Sequence, residues 1–269
     1  MSGNSAFTIR QGGGWQRGLD NFLRAQLTGW FGTSTWLTNL LIWVGVIDGI
    51  LAATMLSMRS QGEASETAST AAMIYSLFTG MFAAIGVIII MQEAIVGERK
   101  DGTAAWVLSK PLSRPGFVLA KLFGNLAGIL VVMILIPGLI AYVLISMLGA
   151  GYWLPLGSFL AAMACLAVAL LFYQTMTLMF GTLFESRGAV IGLVLAFVFG
   201  QQFIANALPI LYNVLPVGIY LPRGEDPTTI TSALILGQPV SALTPVLACL
   251  VLSVLFVIVA VWKFERIEL

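Results

Sequence analysis

Apolar residues fall into six long stretches along the chain, at roughly 36–58, 71–92, 117–148, 155–183, 188–211 and 240–262. Each is long enough to carry a helix across ~30 Å of hydrocarbon at ~1.5 Å per residue. The pattern predicts an all-α membrane protein with six transmembrane helices. The third, fourth and fifth stretches exceed the minimum, which predicts tilt or extension beyond the bilayer. Ahead of them, Trp15, Leu19, Phe22, Leu23, Gln26, Leu27 and Trp30 recur at helical spacing, while Arg17, Asp20, Asn21, Arg24 and Thr28 occupy other faces. This predicts an amphipathic helix over 13–34, lying in the membrane interface. The same pattern would suit a helix packed on a soluble domain, but the chain offers no such domain. Between the fifth and sixth stretches, short apolar pieces are broken by Pro209, Pro216, Pro222 and Pro239. They are too short to span, and predict re-entrant or interfacial helices, with a folded loop as the alternative. The expected division is therefore 1–35, a tail and interfacial helix, and 36–269, a six-helix transmembrane domain. Within that domain, 93–116 is a polar connection and 209–239 the proline-broken segment.

Composition agrees: 59% of the 269 residues are hydrophobic and 9% charged, against about 25% charged in soluble domains. The distribution of charge sets an orientation. If both termini and the 93–116 and 184–187 connections share a side, it holds Arg10, Arg17, Arg24, Arg99, Lys100, Lys110, Arg114, Lys121, Arg187, Lys263 and Arg266. The other side holds Arg59 and Arg223 alone. Basic residues mark the cytoplasmic side, so both termini are expected in the cytoplasm and the chain in the cell membrane. A net charge of +1 points to no nucleic-acid partner. The sequence has no histidine, which excludes His-held metal or haem, Ser–His triads and His relays. Cys165 and Cys249 lie inside apolar stretches and read as small buried hydrophobes. No cleavable signal peptide is expected, no catalytic residue is assigned, and no metal or cofactor is expected on this chain.

Several polar and small residues inside the stretches call for an account. Asp48, between Gly45 and Gly49, is the acidic residue deep within a span. A charge there is costly, so it faces protein or water, or is protonated. It is either an ion- or substrate-contacting carboxyl or a polar link between helices. Gln174, Gln201, Gln202 and Asn206 are candidates for lining a pathway, for bonds across a dimer, or for helix–helix hydrogen bonds. Gly45–Gly49, Gly124–Gly128 and Gly188–Gly192 are small-xxx-small pairs that permit close helix approach.

The densest charged stretch is 93–121, EAIVGERKDGTAAWVLSKPLSRPGFVLAK. Asp101 or Thr103 can N-cap a short helix through Ser109, which Pro111 stops. Such a helix presents Trp106, Val107 and Leu108, ringed by Arg99, Lys100, Lys110 and Arg114. It reads as a docking knob or as a solvated basic loop.

Glu98, Gly102, Thr103, Leu108, Pro111, Leu112, Ser113, Arg114 and Lys121 together resemble the cytoplasmic loop of ABC-2 type transporter permeases. Ala120 stands where that family usually has Gly. The order of elements is similar too: an amphipathic elbow helix, six spans, a long connection before the last span and a basic tail. The resemblance implies a type V exporter-like ABC-2 fold and a half-transporter. Two permease chains, identical or different, would surround a pathway through the lipid bilayer. A cytoplasmic ATP-binding subunit would bind ATP and Mg and dock on a coupling helix carrying Glu98, Gly102, Thr103, Trp106, Leu108, Pro111, Ser113 and Arg114. The chain itself has no G-x-x-x-x-G-K-[ST] loop, so it is not expected to be an enzyme. An apolar pathway favours a hydrophobic or amphipathic substrate moved outward. The alternatives are an ion-coupled secondary transporter or channel using Asp48, and an intramembrane enzyme.

Overall fold

The computed structural model describes residues 14–62, 66–222, 228–240 and 242–267. Arg10, Arg223 and the Trp15 side chain lie outside the described residues. Every regular element among those described is helical. In chain order they are α1 (Leu19–Phe31), α2 (Thr35–Ser60), α3 (Thr67–Lys100), α4 (Thr103–Leu108), α5 (Arg114–Ala150), α6 (Leu156–Leu183), α7 (Arg187–Ala207), α8 (Val217–Tyr220), α9 (Ile230–Ile235) and α10 (Thr244–Phe264). Six of these, α2, α3, α5, α6, α7 and α10, are long and apolar enough to cross a membrane. They correspond to the six apolar stretches.

The boundaries differ in an instructive way. α3 continues through the charged run 93–100 that hydropathy assigns to a connection. Hydropathy marks the part of a helix that lies in hydrocarbon, not the helix itself. α7 stops at Ala207, just before Leu208 and Pro209, because a residue preceding proline is pushed out of the α region. α3 and α5 also each contain two π-helical turns, at Phe78–Phe82 and Glu93–Gly97, and at Leu130–Leu135 and Ile145–Ala150.

α6 is the central element, packed against α10, α3, α9, α7 and α5. Residues on all its sides are buried, including Phe159, Leu166, Tyr173 and Leu178. In the apolar stretches of α3, α5 and α6, 50% of residues are buried within the chain. The figures are 22% for α2, 28% for α7 and 22% for α10, so these three helices turn broad faces outward. Between α7 and α10, α8 is buried against α6, α3 and α10, and α9 packs on α6 and α3. Both short helices are thus covered by protein, the condition under which irregular backbone is tolerated within a bilayer.

α1 packs along the start of α5. Its buried face is the one that the sequence periodicity predicts: Leu19, Phe22, Leu23, Gln26 and Leu27 are half-buried and Trp30 is buried. Gly124 and Gly128 make the fit possible. A Cβ on Gly124 would lie 2.5 Å from the Gln26 side chain, and one on Gly128 2.3 Å from the Trp30 ring. The Trp30 Nε1 donates to Asn125 Oδ1 at 2.9 Å, and Phe22 stacks on Phe117 at 5.3 Å between centroids. By contrast, Gly45 and Gly49 face open space. Gly128→Ala is therefore expected to cost about 1–2 kcal/mol through overpacking. Gly45→Ala is expected to be neutral or to gain up to ~1 kcal/mol in helix propensity. Thermal unfolding of the detergent-solubilised protein distinguishes the two.

Candidate functional site

At the basic end of the bundle, α3 projects beyond its apolar part and turns sharply into α4. Gly102 takes φ 69°, a left-handed value that suits glycine, and its carbonyl accepts from the Trp106 N–H at 3.2 Å. Thr103 is the first residue of α4 rather than its cap, and Asp101 instead pairs with Arg187. The helix ends at Leu108, one residue sooner than expected, and the Ser109 hydroxyl donates to Trp106 O at 2.7 Å. Ala104 is buried, and Val107 and Leu108 are half-buried against the core. Trp106 is 64% exposed, with Lys110 Nζ 5.1 Å from its ring.

The base of α4 is braced on several sides. Arg187, at the start of α7, bridges Glu93 at 3.0 Å and Asp101 at 3.7 Å. Arg99 pairs with Glu185 at 3.6 Å. Such exposed pairs are individually weak. Glu98 and Lys121 form the more buried pair, and the Lys121 ammonium also lies 5.5 Å from the Phe22 ring and 5.8 Å from that of Phe117. This pair joins α3 to α5 beside α1.

Ser113 and Arg114 act inward. The Ser113 hydroxyl accepts from the Gly116 N–H at 3.0 Å and caps α5. Its backbone N–H donates to Arg17 O at 3.0 Å, which ties the connection to the residues before α1. Arg114 Nη1 donates to the carbonyls of Glu265 at 2.6 Å and Ile267 at 2.8 Å, closing off the end of α10. Phe117 stacks on Phe264 at 5.3 Å. Pro111 is exposed on an open groove of about 600 Å³, with Arg17 and Lys110 among its lining residues. So Glu98, Gly102, Thr103, Trp106, Leu108 and Pro111 gather at or around α4, whereas Ser113 and Arg114 hold the scaffold behind it. Sequence alone does not group Arg187, Glu93, Glu185 and the rings of Phe22, Phe117 and Phe264. The available signal is the lone arginine at the start of α7.

A family model described as ABC-2 family transporter protein matches residues 34–269. The chain belongs to this family. It is thus the membrane subunit of a transporter, a multi-pass protein and the transmembrane component rather than the ATPase. No curated protein matches it.

In this ABC-2 permease the amides within the spans divide into two kinds. Gln174 is buried and its Nε2 donates to Leu122 O at 2.9 Å, linking α6 to α5. Gln201, for which helix–helix hydrogen bonding is one of the expected roles, is buried in such a network, though its partners carry no sequence signal. Its Nε2 reaches the hydroxyls of Tyr173 at 2.6 Å and Tyr220 at 2.8 Å, which lie 2.7 Å from each other. Its Oε1 accepts from the Val217 N–H at 3.2 Å. One glutamine thus joins α6, α7 and α8. Burial holds the Tyr220 hydroxyl well above the usual tyrosine range, so it stays protonated. Gly80, in a π turn of α3, leaves the room for that ring, since a Cβ there would lie 2.3 Å from it. Gln202 and Asn206 are exposed on the outward face of α7. Asp48 is buried on α2, and neither of its carboxylate oxygens has a hydrogen-bond partner among the described residues.

Proposed function

We propose that this permease is one half of an ATP-driven exporter, coupled through residues 98–114 to a separate cytoplasmic ATP-binding subunit. The observation that carries the reading is α4: a short helix that displays a largely exposed Trp106 while its base is braced by ion pairs to α5 and α7. An exposed aromatic on a rigid support is the form of an anchor for a partner's pocket. ATP and Mg would be held by that partner. Movement of the docked α4 would pass along α3 as a rigid body and, through Lys121, to α5 and α1. The excess of basic residues on the α4 side supports a cytoplasmic location for that end and for both termini, in the cell membrane.

A second permease chain, identical or different, fits the outward faces of α2, α7 and α10. Gln202 and Asn206 support this, because amides facing lipid would lack partners that a neighbouring helix or a wet pathway supplies. The apolar outward faces of these helices, including Leu247, Val251 and Val254 of α10, favour a hydrophobic or amphipathic substrate. Trp106→Asp tests the coupling. It is expected to leave the thermal midpoint within about 1–2 °C, as surface changes do, and to weaken capture of the ATP-binding subunit by about tenfold or more. Retained capture and transport would remove α4 as the docking element.

A further inference from the structure

We propose that Asp48, Tyr75 and Thr79 form a buried site for one monovalent cation, a proton or an alkali-metal ion. Asp48 is 4% exposed, and Tyr75 and Thr79 are 0% exposed. Neither Asp48 oxygen has a hydrogen-bond partner among the described residues, and the Tyr75 and Thr79 hydroxyls have none but each other. Buried polar atoms are bonded in the great majority of cases, so two bare carboxylate oxygens on α2, packed against the stretch of α3 that carries this pair of hydroxyls, call for a shared partner. Tyr75 and Thr79 lie one turn apart on α3, with Thr79 inside the π turn Phe78–Phe82. Asp48, on α2, is within electrostatic reach of Tyr75. On the far side, the Tyr75 hydroxyl comes within 2.9 Å of where a Gly138 Cβ would stand, so α5 closes over the group.

Among the described residues, no cation answers the charge of Asp48. The elements packed on α2 are α1, α3 and α5. α3 brings Tyr75 itself and, at its basic end, Glu93, Glu98 and Arg99, all paired, and the exposed Lys100. α5 brings Tyr142, whose hydroxyl already donates to Leu154 O at 3.0 Å, and Lys121, already paired with Glu98. Asp20 and Arg24 of α1 are exposed at the basic end. In the long helices Lys and Arg stand near the ends, so a second copy would bring no deep cation either. An ionised, unpaired carboxylate is strongly disfavoured at this depth. A proton would make Asp48 a donor to the neighbouring hydroxyls. An alkali-metal ion would find oxygen atoms alone, the ligand type that hard cations take. A single carboxylate matches a single positive charge. The reading stands apart from the ATP-coupling proposal and fails separately from it.

The test uses the full chain in lipid nanodiscs at neutral pH, with sodium, potassium or choline chloride at equal ionic strength. If an alkali-metal ion binds, sodium or potassium raises the thermal midpoint over choline by about 4 °C at tenfold its dissociation constant. If a proton binds, infrared spectroscopy shows a protonated-carboxyl stretch that is indifferent to the salt. Either signature is expected to vanish in Asp48→Asn. Tyr75→Phe and Thr79→Val retain the carboxyl and are expected to shift the band or weaken the salt response. A wild type with neither signature overturns the proposal. So does a signature unchanged in Asp48→Asn, or, should that variant not fold, unchanged in both hydroxyl variants.

Discussion

Lys121→Met is expected to destabilise the protein by about 2–3 kcal/mol and to lower its thermal midpoint by about 5–10 °C. The side chain is 7% exposed and its partner Glu98 22% exposed. Removing one member of a buried ion pair leaves the other charge without compensation, at a cost of about 3–5 kcal/mol when burial is complete. The partial exposure of Glu98 lowers the figure, because water screens part of the bare charge. Contacts with the faces of Phe22 and Phe117 are lost as well, and these add to the cost. The diagnostic comparison is the double variant Glu98→Gln, Lys121→Met. It carries no bare carboxylate and is expected to recover most of the loss. A double variant no better than the single one would assign the effect to packing. Because this pair joins α3 to α5 just behind α4, the single variant is also expected to lower transport more than it lowers capture of the ATP-binding subunit.

Gln201→Leu is the second large effect, expected at about 2–3 kcal/mol. The Tyr173–Tyr220 bond survives the change, but the Val217 N–H loses its acceptor and both phenols lose a donor. Leaving buried groups unsatisfied costs about 1–3 kcal/mol each, less what the two phenols still give one another. The damage is local, so hydrogen exchange at 217–220 is expected to accelerate, while exchange in α1 is unchanged. Gln202→Leu is the control. That neighbour is exposed, and in the isolated chain its replacement is expected to stay within about 0.5 kcal/mol. Equal effects at the two positions would mean that the network does not hold α8 in place.

These cases show what a sequence does and does not disclose. The six spans were legible because bilayer thickness sets a length that few other structures need. The packed face of α1 was legible because Leu19, Phe22, Gln26 and Trp30 repeat at the helical period. The charged turns of α3 were not, since Glu93–Lys100 are helical for reasons of packing and ion pairing rather than hydropathy. Gln201 and Gln202 look alike in sequence, yet one is buried and the other exposed. Their fates depend on where Tyr173 and Tyr220 arrive, which no local pattern encodes. The three glycine pairs are likewise equivalent as motifs, but Gly124–Gly128 meets α1 whereas Gly45–Gly49 meets open space. Of the residues expected at the docking surface, Arg114 lies in an ordinary basic connection by sequence. Its direction is fixed by carbonyls far along the chain.

That last contact has a bearing on biosynthesis. Arg114 and its acceptor at Glu265 are separated by 151 residues. At about 5–20 residues per second, a ribosome takes about 8–30 s to cover that distance. During the interval α1 can settle on α5, but the guanidinium and the free face of Phe117 must wait for the final helix to arrive. The clasp at the basic end therefore records the completion of insertion: it closes only on a chain whose last span has arrived in the right orientation.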